Sequence, residues 1–465
     1  MASPTSVELP PFHPPVAGQE RCPVAGVPGM PDPAYADDRE RLRAVKSLPV
    51  SPGKHDVFVL GTRMSKLAMV QTNLVKSQLE RHWPRTDVRI YGMTTSGDTN
   101  QSQPLYLLGG KALWTKELEV ALVEGQVDAI VHSLKDVPTE FPPGCELGAV
   151  LEREDPSDAL VVKYGLDYRS LDEMPEGSVI GTSSVRRVAQ LRRAFPKLKF
   201  ADVRGLVQTR LRKLDDPESS YTALILASAG LIRLGLGHRI TASVTSPTLY
   251  HAVGQGAIGV EMRINDSRAR DVVGSLECWK TSWCTRAERS MLQVLEGGCS
   301  VPVGCETRLV EALPANGHNS NNGIDSNGRA NGRPLNRATD PHTAQLTLHG
   351  SVTSLAGTSS VTASITRTVH SIQEAEALGA AVAHELLESG ARDILTELGR
   401  HVKEVHGEDG QEIPFEVNGR AAVNIPPPSA KARRGSMGQA MSPTSPPSHR
   451  TVFKNGEVCL RPQGW

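Results

Sequence analysis

Residues 57–62 read Val-Phe-Val-Leu-Gly-Thr, and residues 179–182 read Val-Ile-Gly-Thr. In each stretch a short apolar run ends at Gly-Thr and is followed by apolar residues at near-helical spacing. The first helix is predicted over about 66–81, and the second passes through Val188 and Leu191. Because strand, turn and helix in this order form the repeating unit of α/β sheets, the two stretches predict two similar α/β lobes.

A second likeness follows later in each predicted lobe. Residues 130–133, Ile-Val-His-Ser, parallel residues 225–228, Ile-Leu-Ala-Ser. They belong to predicted buried strands at Val127–Val131 and Ala223–Ala227. We expect both lobes to present strand ends and helix N-termini to a shared cleft, the usual ligand position in open sheets.

Length and composition allow several domains. A chain of 465 residues can build two or three hydrophobic cores, and 38% hydrophobic with 4% aromatic residues fits an α/β protein. A different unit follows, with a helix over Ala287–Leu295, strands at Ala344–His349 and Val352–Leu355, and a helix over Ile372–Leu387. The predicted fold class is therefore α/β, with two mixed-sheet lobes plus a smaller α+β C-terminal domain.

The expected domain limits follow these patterns and the Pro-, Gly- and Asn-rich stretches between them. They are a disordered N-terminal arm at 1–54, a first lobe at 55–154 plus 247–275, a second lobe at 155–246, a third domain at 276–405 with a disordered insertion at 312–342, and a disordered tail at 406–465.

Charge and cysteine content narrow the class of protein. Basic and acidic residues balance at 51 each, so no overall field recruits nucleic acid or an anionic membrane, and any anion site must be local. Seven scattered cysteines indicate a reducing compartment rather than a disulfide framework. The chain shows neither a signal-peptide core nor an apolar run of the roughly 18 residues that span a bilayer. We expect a cytoplasmic protein.

Residues 182–187, Thr-Ser-Ser-Val-Arg-Arg, lie between a predicted strand and a predicted helix. Free N–H groups at the helix start, three hydroxyls and two guanidinium forks suit a carboxylate or phosphate. The alternative is an ordinary Ser/Thr N-cap with solvated arginines, and Arg192 and Arg193 are expected on such an exposed face. Similar chemistry recurs at other predicted element ends, namely Arg63, Ser65, Arg204, Arg210 and Arg233.

The Lys135-Asp136 pair leaves the end of a predicted strand. Pro138 restricts Val137 to an extended conformation, so Asp136 lies on a stiff loop where it could exchange protons with a leaving amine or stabilise a cation. The alternative is a surface Lys–Asp pair of little energetic value. His132 is interpreted as a packed histidine.

Cys299 follows two glycines and precedes Pro302 and Gly304. Such a backbone can hold a bare thiol out on a loop, although a tight turn around a small buried cysteine fits the local pattern too. Neither Cys299 nor Cys305 has neighbours at zinc-ligand spacing, so no metal site is expected.

These residues and their neighbours match a known family in order. The matching stretches are Gly61–Ala68, Lys116–Glu119, Val131–Pro138, Glu152–Pro156, Gly181–Arg187, Ala229–Gly235, Ala252–Gly256 and Glu296–Pro302. Over about residues 55–305, with weaker likeness to about residue 400, the chain resembles the porphobilinogen deaminase (hydroxymethylbilane synthase) family of haem biosynthesis.

The resemblance implies two lobes like periplasmic binding proteins and a third domain that carries a dipyrromethane cofactor on Cys299 through a thioether. It implies a transferase that joins four porphobilinogen molecules head to tail, releases ammonia at each addition and hydrolyses off linear hydroxymethylbilane. A monomer without nucleic-acid or membrane partners is expected.

Site residues carry over by position. Asp136 would be the catalytic acid. The expected cofactor-binding residues are Cys299, Lys135, Ser65, Thr182, Ser183, Ser184, Arg186, Arg187, Arg204 and Gln255. The expected substrate-binding residues are Arg63, Arg210, Arg233 and Gln71.

Two positions depart from the family pattern. Leu206 stands where the family usually has Asn, and Trp114 where it often has Phe. A competing hypothesis is a non-enzymatic, two-lobed binding module for a small anion, which would need neither Cys299 nor Asp136.

Overall fold

The computed structural model describes most of the two lobes and of the third domain. The described residues are 46, 50, 51, 53–95, 115–295, 301–312 and 342–397, with the backbone of four two-residue strands. The predicted arm, insertion and tail lie largely outside the described residues. Among the residues described, no helix combines the length and the apolar character needed to cross a membrane.

Chain contacts separate two compact units, Met1–Glu412 and Ile413–Trp465. In the second unit, the described part is one antiparallel strand pair.

The first lobe is built on a five-stranded mixed sheet. Its strands are β1 (Asp56–Arg63), β2 (Thr86–Met93), β3 (Ala129–Ser133), β4 (Cys145–Val150) and β10 (Ile258–Arg263). The order is β2-β1-β3-β10-β4, with β1 parallel to β2 and β3, and β10 antiparallel to β3 and β4. Helix α1 (Lys66–His82) covers one face through Val75 and Leu79, and α2 (Lys116–Val123) covers the other through Leu118 and Leu122.

The second lobe repeats this arrangement. Its strands are β5 (Asp158–Val162), β6 (Val179–Gly181), β7 (Lys199–Ala201), β8 (Ala223–Ala227) and β9 (Ala242–Val244). The order is β7-β6-β8-β5-β9, with the same sequence of parallel and antiparallel pairings. Its helices are α3 (Val185–Ala194), α4 (Val207–Asp215) and α5 (Ser228–Arg233). Two mixed-sheet α/β lobes, as predicted from the two Gly-Thr stretches, are confirmed.

Strand register defines which residues of the lobes match. Gly61 pairs with Ile130 in the first lobe, and Gly181 pairs with Leu224 in the second. Gly61 and Gly181 therefore match as predicted, but Ile130 matches Leu224, and the predicted match of Ile130 with Ile225 is wrong by one residue. The reason is physical: a slip of one residue turns every side chain of a strand to the opposite face, which composition alone does not reveal.

The third domain packs two helices on a three-stranded antiparallel sheet. Its strands are β11 (Val303–Glu311), β14 (Ala344–Thr353) and β15 (Ser360–Val369), in the order β11-β14-β15. Two short strands, β12 (Arg329–Ala330) and β13 (Arg333–Pro334), form a separate antiparallel pair. Helix α6 (Ser267–Gly274) still packs in the core of the first lobe, and the two helices on the three-stranded sheet are α7 (Trp279–Val294) and α8 (Ile372–Leu386). The limits of the predicted domains stay predictions.

Two expectations for this domain need correction. Helix α7 begins at Trp279 rather than Ala287, and its buried residues Trp279, Trp283, Ala287 and Met291 recur at every fourth position. The two strands expected at 344–349 and 352–355 are one strand, β14. Gly350 lies between the two predicted strands, and a Cβ there would lie 2.7 Å from Sδ of Met291, so the glycine permits close packing of α7 on β14.

Candidate functional site

A cavity of about 400 Å³ lies between the two lobes. Among the described residues that line it are eight basic side chains and a single carboxylate, that of Asp136. The basic residues are Arg63, Lys66, Lys135, Arg186, Arg187, Arg204, Arg210 and Arg233. In a chain whose charges balance overall, this concentration is a local basic cluster of the kind that an anion site requires.

The structure brings nearly all of the expected site residues to this cavity. Asp136, Lys135, Ser65, Ser183, Ser184, Arg186, Arg187, Arg204, Gln255, Arg63, Arg210, Arg233 and Gln71 line it. Thr182 lies buried just behind the wall, where its Oγ1 accepts a hydrogen bond from the Ser184 N–H at 3.3 Å. Cys299 lies outside the described residues, but Val301 and Val303, which follow it, line the cavity.

Asp136 is the last residue of a short 3-10 turn, Leu134–Asp136, that leaves the end of β3. The turn is anchored by the buried Leu134, whose N–H donates to the carbonyl of Ala257 at 3.0 Å. Asp136 itself is half-buried. Burial lowers the pKa of the neighbouring Lys135, and the negative charge of Asp136 opposes that shift.

Gln71 of α1 contacts the end of β3 at Ser133. The residue is buried, and its amide nitrogen donates to Oγ of Ser133 at 3.0 Å. Gln71, an expected substrate contact, is thus already engaged with β3. Ser133 lines the cavity as well, and the sequence analysis did not include it among the site residues.

Arg186 and Arg187 occupy the first turn of α3 and are both buried. Asp158, which is fully buried, accepts from Arg186 and from Arg187 at 2.7 Å each. Arg187 also donates to the carbonyl of Ile225 at 2.9 Å. The alternative interpretation of solvated arginines is therefore wrong, although Ser184 does act as the N-cap by accepting from the Arg187 N–H.

Asp158 was missed by the sequence analysis. Although burial opposes ionisation, the two guanidinium groups hold the pKa of this carboxyl well below its usual range. Its signal in the sequence is an acidic residue at the first position of an otherwise apolar strand, Asp158–Val162. The carboxylate fixes both arginines in place while half of their combined charge stays uncompensated.

Gln255 also bonds to Asp158. Its amide nitrogen donates to Oδ1 of Asp158 at 2.9 Å and to the carbonyl of Pro156 at 2.7 Å, and these acceptors fix the orientation of the amide. The amide oxygen of Gln255 is buried without a hydrogen-bond partner in the described part of the chain. An oxygen acceptor does not bind a carboxylate, so Gln255 supports the arginine pair through Asp158 and offers an acceptor of its own.

Arg204, Arg210 and Arg233 have more hydrogen-bond donors than the bonds found for them in the described part of the chain. Arg210 donates to the carbonyl of Gly205 at 2.8 Å, and burial together with Arg187 and Arg204 lowers its pKa to about 10. One terminal nitrogen of Arg204 is buried with no hydrogen-bond partner among the described residues. Arg233 donates to the carbonyl of Gly256 at 2.7 Å. Buried cations with unused donors fit a ligand that carries several carboxylates.

Leu206, the departure from the family pattern, is the N-cap residue of α4 and gives that helix no side-chain cap. Its side chain is 47% exposed and lines the cavity. Both flanking arginines, Arg204 and Arg210, still line the cavity. The other departure, Trp114, lies outside the described residues.

Arg192 and Arg193 differ in part from the expectation of a solvated helix face. Arg192 donates to the carbonyl of Leu355 at 3.0 Å and Arg193 to that of Thr358 at 3.3 Å. They therefore join the second lobe to the turn between β14 and β15. His132 is buried, as expected, and bonds to Glu261 at 3.0 Å.

Three buried residues, His251, Glu288 and Cys305, are of the types that commonly bind metal ions. The ligand atoms of His251, Glu288 and Cys305 lie within 4.8 Å of one another. Glu288, however, already accepts from Arg153 at 2.6 Å and from the N–H of Gly254 at 2.8 Å. Burial raises the pKa of Cys305 and lowers that of His251 to about 4, which leaves a neutral thiol and imidazole. We assign the group to the contact between the first lobe and the third domain.

Among solved structures, the chain is similar to the periplasmic VFT2 domain of BvgS from Bordetella pertussis. The identity is 12% and the TM-score 0.29, covering 47% of this chain and 86% of that chain.

Family and sequence comparisons are far more specific. Residues 58–271 match the "Porphobilinogen deaminase, dipyromethane cofactor binding domain" and residues 282–313 match the "Porphobilinogen deaminase, C-terminal domain". The porphobilinogen deaminase of Yarrowia lipolytica is 47% identical over 73% of this chain and 92% of its own length. That of Saccharomyces cerevisiae is 42% identical over 73% of this chain and 96% of its own length. The chain belongs to the porphobilinogen deaminase family.

Proposed function

We propose that the cavity between the lobes is the polymerisation site of this porphobilinogen deaminase and that Asp136 is its acid. The enzyme is a transferase of haem biosynthesis that joins four porphobilinogen molecules head to tail with release of ammonia and frees linear hydroxymethylbilane by hydrolysis. The observation that carries the site assignment is the single carboxylate among eight basic side chains.

The donors around the cavity fit the dipyrromethane cofactor of the family. When bound, that group supplies the pyrrole carbon from which the chain grows. Each pyrrole of the substrate carries an acetate and a propionate, so the growing chain accumulates negative charge. Guanidinium groups bind carboxylates through paired hydrogen bonds, and a fixed array of them suits such a polyanion.

The roles divide by position around the cavity. We assign the cofactor to Lys135, Ser65, Ser183, Ser184, Arg186, Arg187 and Arg204, with Thr182 and Gln255 supporting them and Cys299 as the anchor. We assign the incoming substrate to Arg63, Arg210, Arg233 and Gln71. Arg186 and Arg187 need no reorganisation when they bind, because Asp158 already orients them.

Asp136 has two tasks at each addition. Its carboxyl group donates a proton to the amine of porphobilinogen, so that the carbon–nitrogen bond breaks and ammonia leaves. The resulting carboxylate then stabilises the carbocation that remains on the substrate. When the new carbon–carbon bond forms, the pyrrole loses a proton, and its return to Asp136 restores the acid for the next addition.

The test is the mass of the intact protein. The purified chain should carry an adduct of two pyrrole units, Cys299→Ala should lack it, and the wild type should release ammonia from porphobilinogen. Cys278→Ser is the matched control, since Cys278 is a free thiol outside the cavity. Retention of the adduct by Cys299→Ala would show that the anchor is another residue.

We further propose a monomeric enzyme of the cytosol. The described cysteines Cys145, Cys278, Cys284 and Cys305 are all free thiols, which supports a reducing compartment. Size-exclusion chromatography with light scattering tests the monomer, and fractionation of cells tests the compartment.

A further inference from the structure

Helix α7 of the third domain reaches the loop that carries Asp136. Its residue Arg289 is buried and donates two hydrogen bonds to carbonyl groups of the first lobe. One goes to Val137 at 3.1 Å and the other to Pro138 at 2.6 Å. These two residues follow Asp136 directly, so Arg289 bonds to the backbone of the loop immediately after the acid.

This pair of bonds fixes a backbone that has few other hydrogen-bonding groups. Pro138 lacks an N–H, and Val137 donates its own to Leu134 within the 3-10 turn at 3.2 Å. A planar guanidinium that binds two successive carbonyls defines their orientation as well as their distance. The guanidinium also lies 5.4 Å from the ring centre of Phe141, further along the same loop.

The same helix leads to the cysteine loop. Helix α7 ends at Val294, and Leu295 after it is buried in the core of the third domain with Met291. Cys299 follows in the next few residues, and Leu292 of the helix lines the cavity. A single helix therefore bonds to the loop that carries Asp136 and directly precedes the segment that carries Cys299.

We infer that Arg289 is a positioning residue, which sets the placement of the Asp136 carboxyl relative to the chain anchored at Cys299. The inference rests on the proposed function. Arg289 is not among the described residues that line the cavity, so it acts through Val137 and Pro138 rather than by touching substrate. An acid displaced by about 1 Å can cost about 10²-fold in rate.

The competing explanation is that Arg289 simply fastens the third domain to the first lobe. The chain offers a matched control, because Arg286 on the same helix also donates to a carbonyl of the first lobe. Its acceptor is Leu147 of β4, at 3.2 Å, which lies outside the loop of residues 134–141. A pure fastening role predicts the same consequences for Arg286 and Arg289.

The experiment compares Arg289→Gln, Arg289→Lys and Arg286→Gln in the full-length enzyme. It measures the cofactor adduct by intact mass, the melting temperature, kcat and KM, and amide hydrogen exchange over residues 134–141. For Arg289→Gln we expect a normal adduct, a kcat lowered about 10–100-fold, a KM within about twofold and faster exchange over 134–141. Arg289→Lys should fall between it and the wild type, and Arg286→Gln should keep kcat within about twofold.

Equal changes in Arg289→Gln and Arg286→Gln, with normal kcat and unchanged exchange over 134–141, would overturn the inference. If Arg289→Gln fails to fold, Arg289→Lys decides, since a normal kcat there would count against positioning. A wild type without adduct or ammonia release would instead overturn the proposed function. The exchange of residues 134–141 would still test the effect of Arg289 on the loop.

Discussion

The two lobes share a strand order but place different residues at matching positions. Register matches Ser133 with Ala227, so Asp136 of the first lobe corresponds to Gly230 of the second. Conversely, the buried Asp158 of the second lobe corresponds to Ile258 of the first. The first lobe thus supplies the carboxylate that we propose as the acid, and the second supplies a buried carboxylate that orients arginines.

The helix starts show the same division. Ser65 caps α1 and Ser184 caps α3, each accepting from the N–H three residues ahead. Two residues after the cap, the first lobe has Leu67 and the second has Arg186. The two lobes therefore share their capping chemistry, whereas the charged groups proposed to bind and react are divided between them.

The largest effect should come from removing the acid of the first lobe. Asp136→Asn cannot donate a proton, so we expect kcat to fall about 10²–10⁴-fold while the cofactor adduct persists. Steady-state kinetics and intact mass measure the two quantities. Glu140→Gln, which changes an exposed carboxylate on the same loop, is the control. A variant with normal turnover would remove Asp136 from the mechanism.

The next largest effect should come from removing the buried carboxylate of Asp158, which pairs with Arg186 and Arg187 in the second lobe. Asp158→Asn leaves Arg186 and Arg187 buried without a counter-charge, and we expect the free energy of unfolding in urea to fall by about 3–5 kcal/mol. Ile258→Val at the matching position of the first lobe should cost only about 0.5–1.5 kcal/mol. If the two variants lost the same free energy of unfolding, the matching positions 158 and 258 would not differ in function as described.

His251, in the segment that joins the lobes, should make the stability of the protein depend on pH. Burial, with the nearby charges of Arg153 and Arg186, lowers the pKa of His251 from 6.5 to about 4, against the opposing charge of Glu288. The folded state therefore favours neutral imidazole. The neutral imidazole stabilises the folded state fully above pH 6.5. As the pH falls from 6.5 towards about 4, the free energy of unfolding decreases by ~3 kcal/mol.

Urea unfolding at several pH values between 7 and 4 measures this loss. His251→Asn should flatten the dependence over that window, whereas His82→Gln on the exposed surface of α1 should leave it unchanged. A wild-type stability that does not change between pH 6.5 and 4 would contradict the prediction.

The smallest effect tests what the lobes have in common. Ser65→Ala and Ser184→Ala each remove one side-chain cap, and each should lower the free energy of unfolding by about 1 kcal/mol. Chemical denaturation with a shared baseline would resolve the two values. A difference larger than about 1 kcal/mol would show that the lobes do not use their caps alike.

Local pattern predicts most of the elements around the site. The bounds expected for α1, the strand Ala223–Ala227 and the last helix differ little from those in the structure, since each has a clear period or apolar run. The convergence of arginines on one cleft also follows, because strand ends and helix starts meet at one edge of a sheet.

Other features depend on contacts that no local pattern contains. The apolar Leu74 of α1 is 41% exposed, while the polar Gln71 and Thr72 are buried on the face towards the sheet and cavity. Two partners of Asp158, Arg186 and Arg187, lie on helix α3, and a third, Gln255, lies 97 residues from Asp158 in the chain, so only the tertiary fold brings them together. The true start of helix α7, by contrast, could have been predicted from the sequence, because Trp279 and Trp283 continue its four-residue apolar spacing towards the N-terminus.

The basic lining of the cavity has a kinetic consequence. Uncompensated positive charge acts on solutes over about 10 Å at 0.1 M salt, so a substrate that carries two carboxylates is attracted before it touches the protein. Raising the ionic strength weakens this steering and slows capture, while leaving proton transfer at the proposed acid nearly untouched. Salt is therefore a means of separating the arrival of each building block from its reaction.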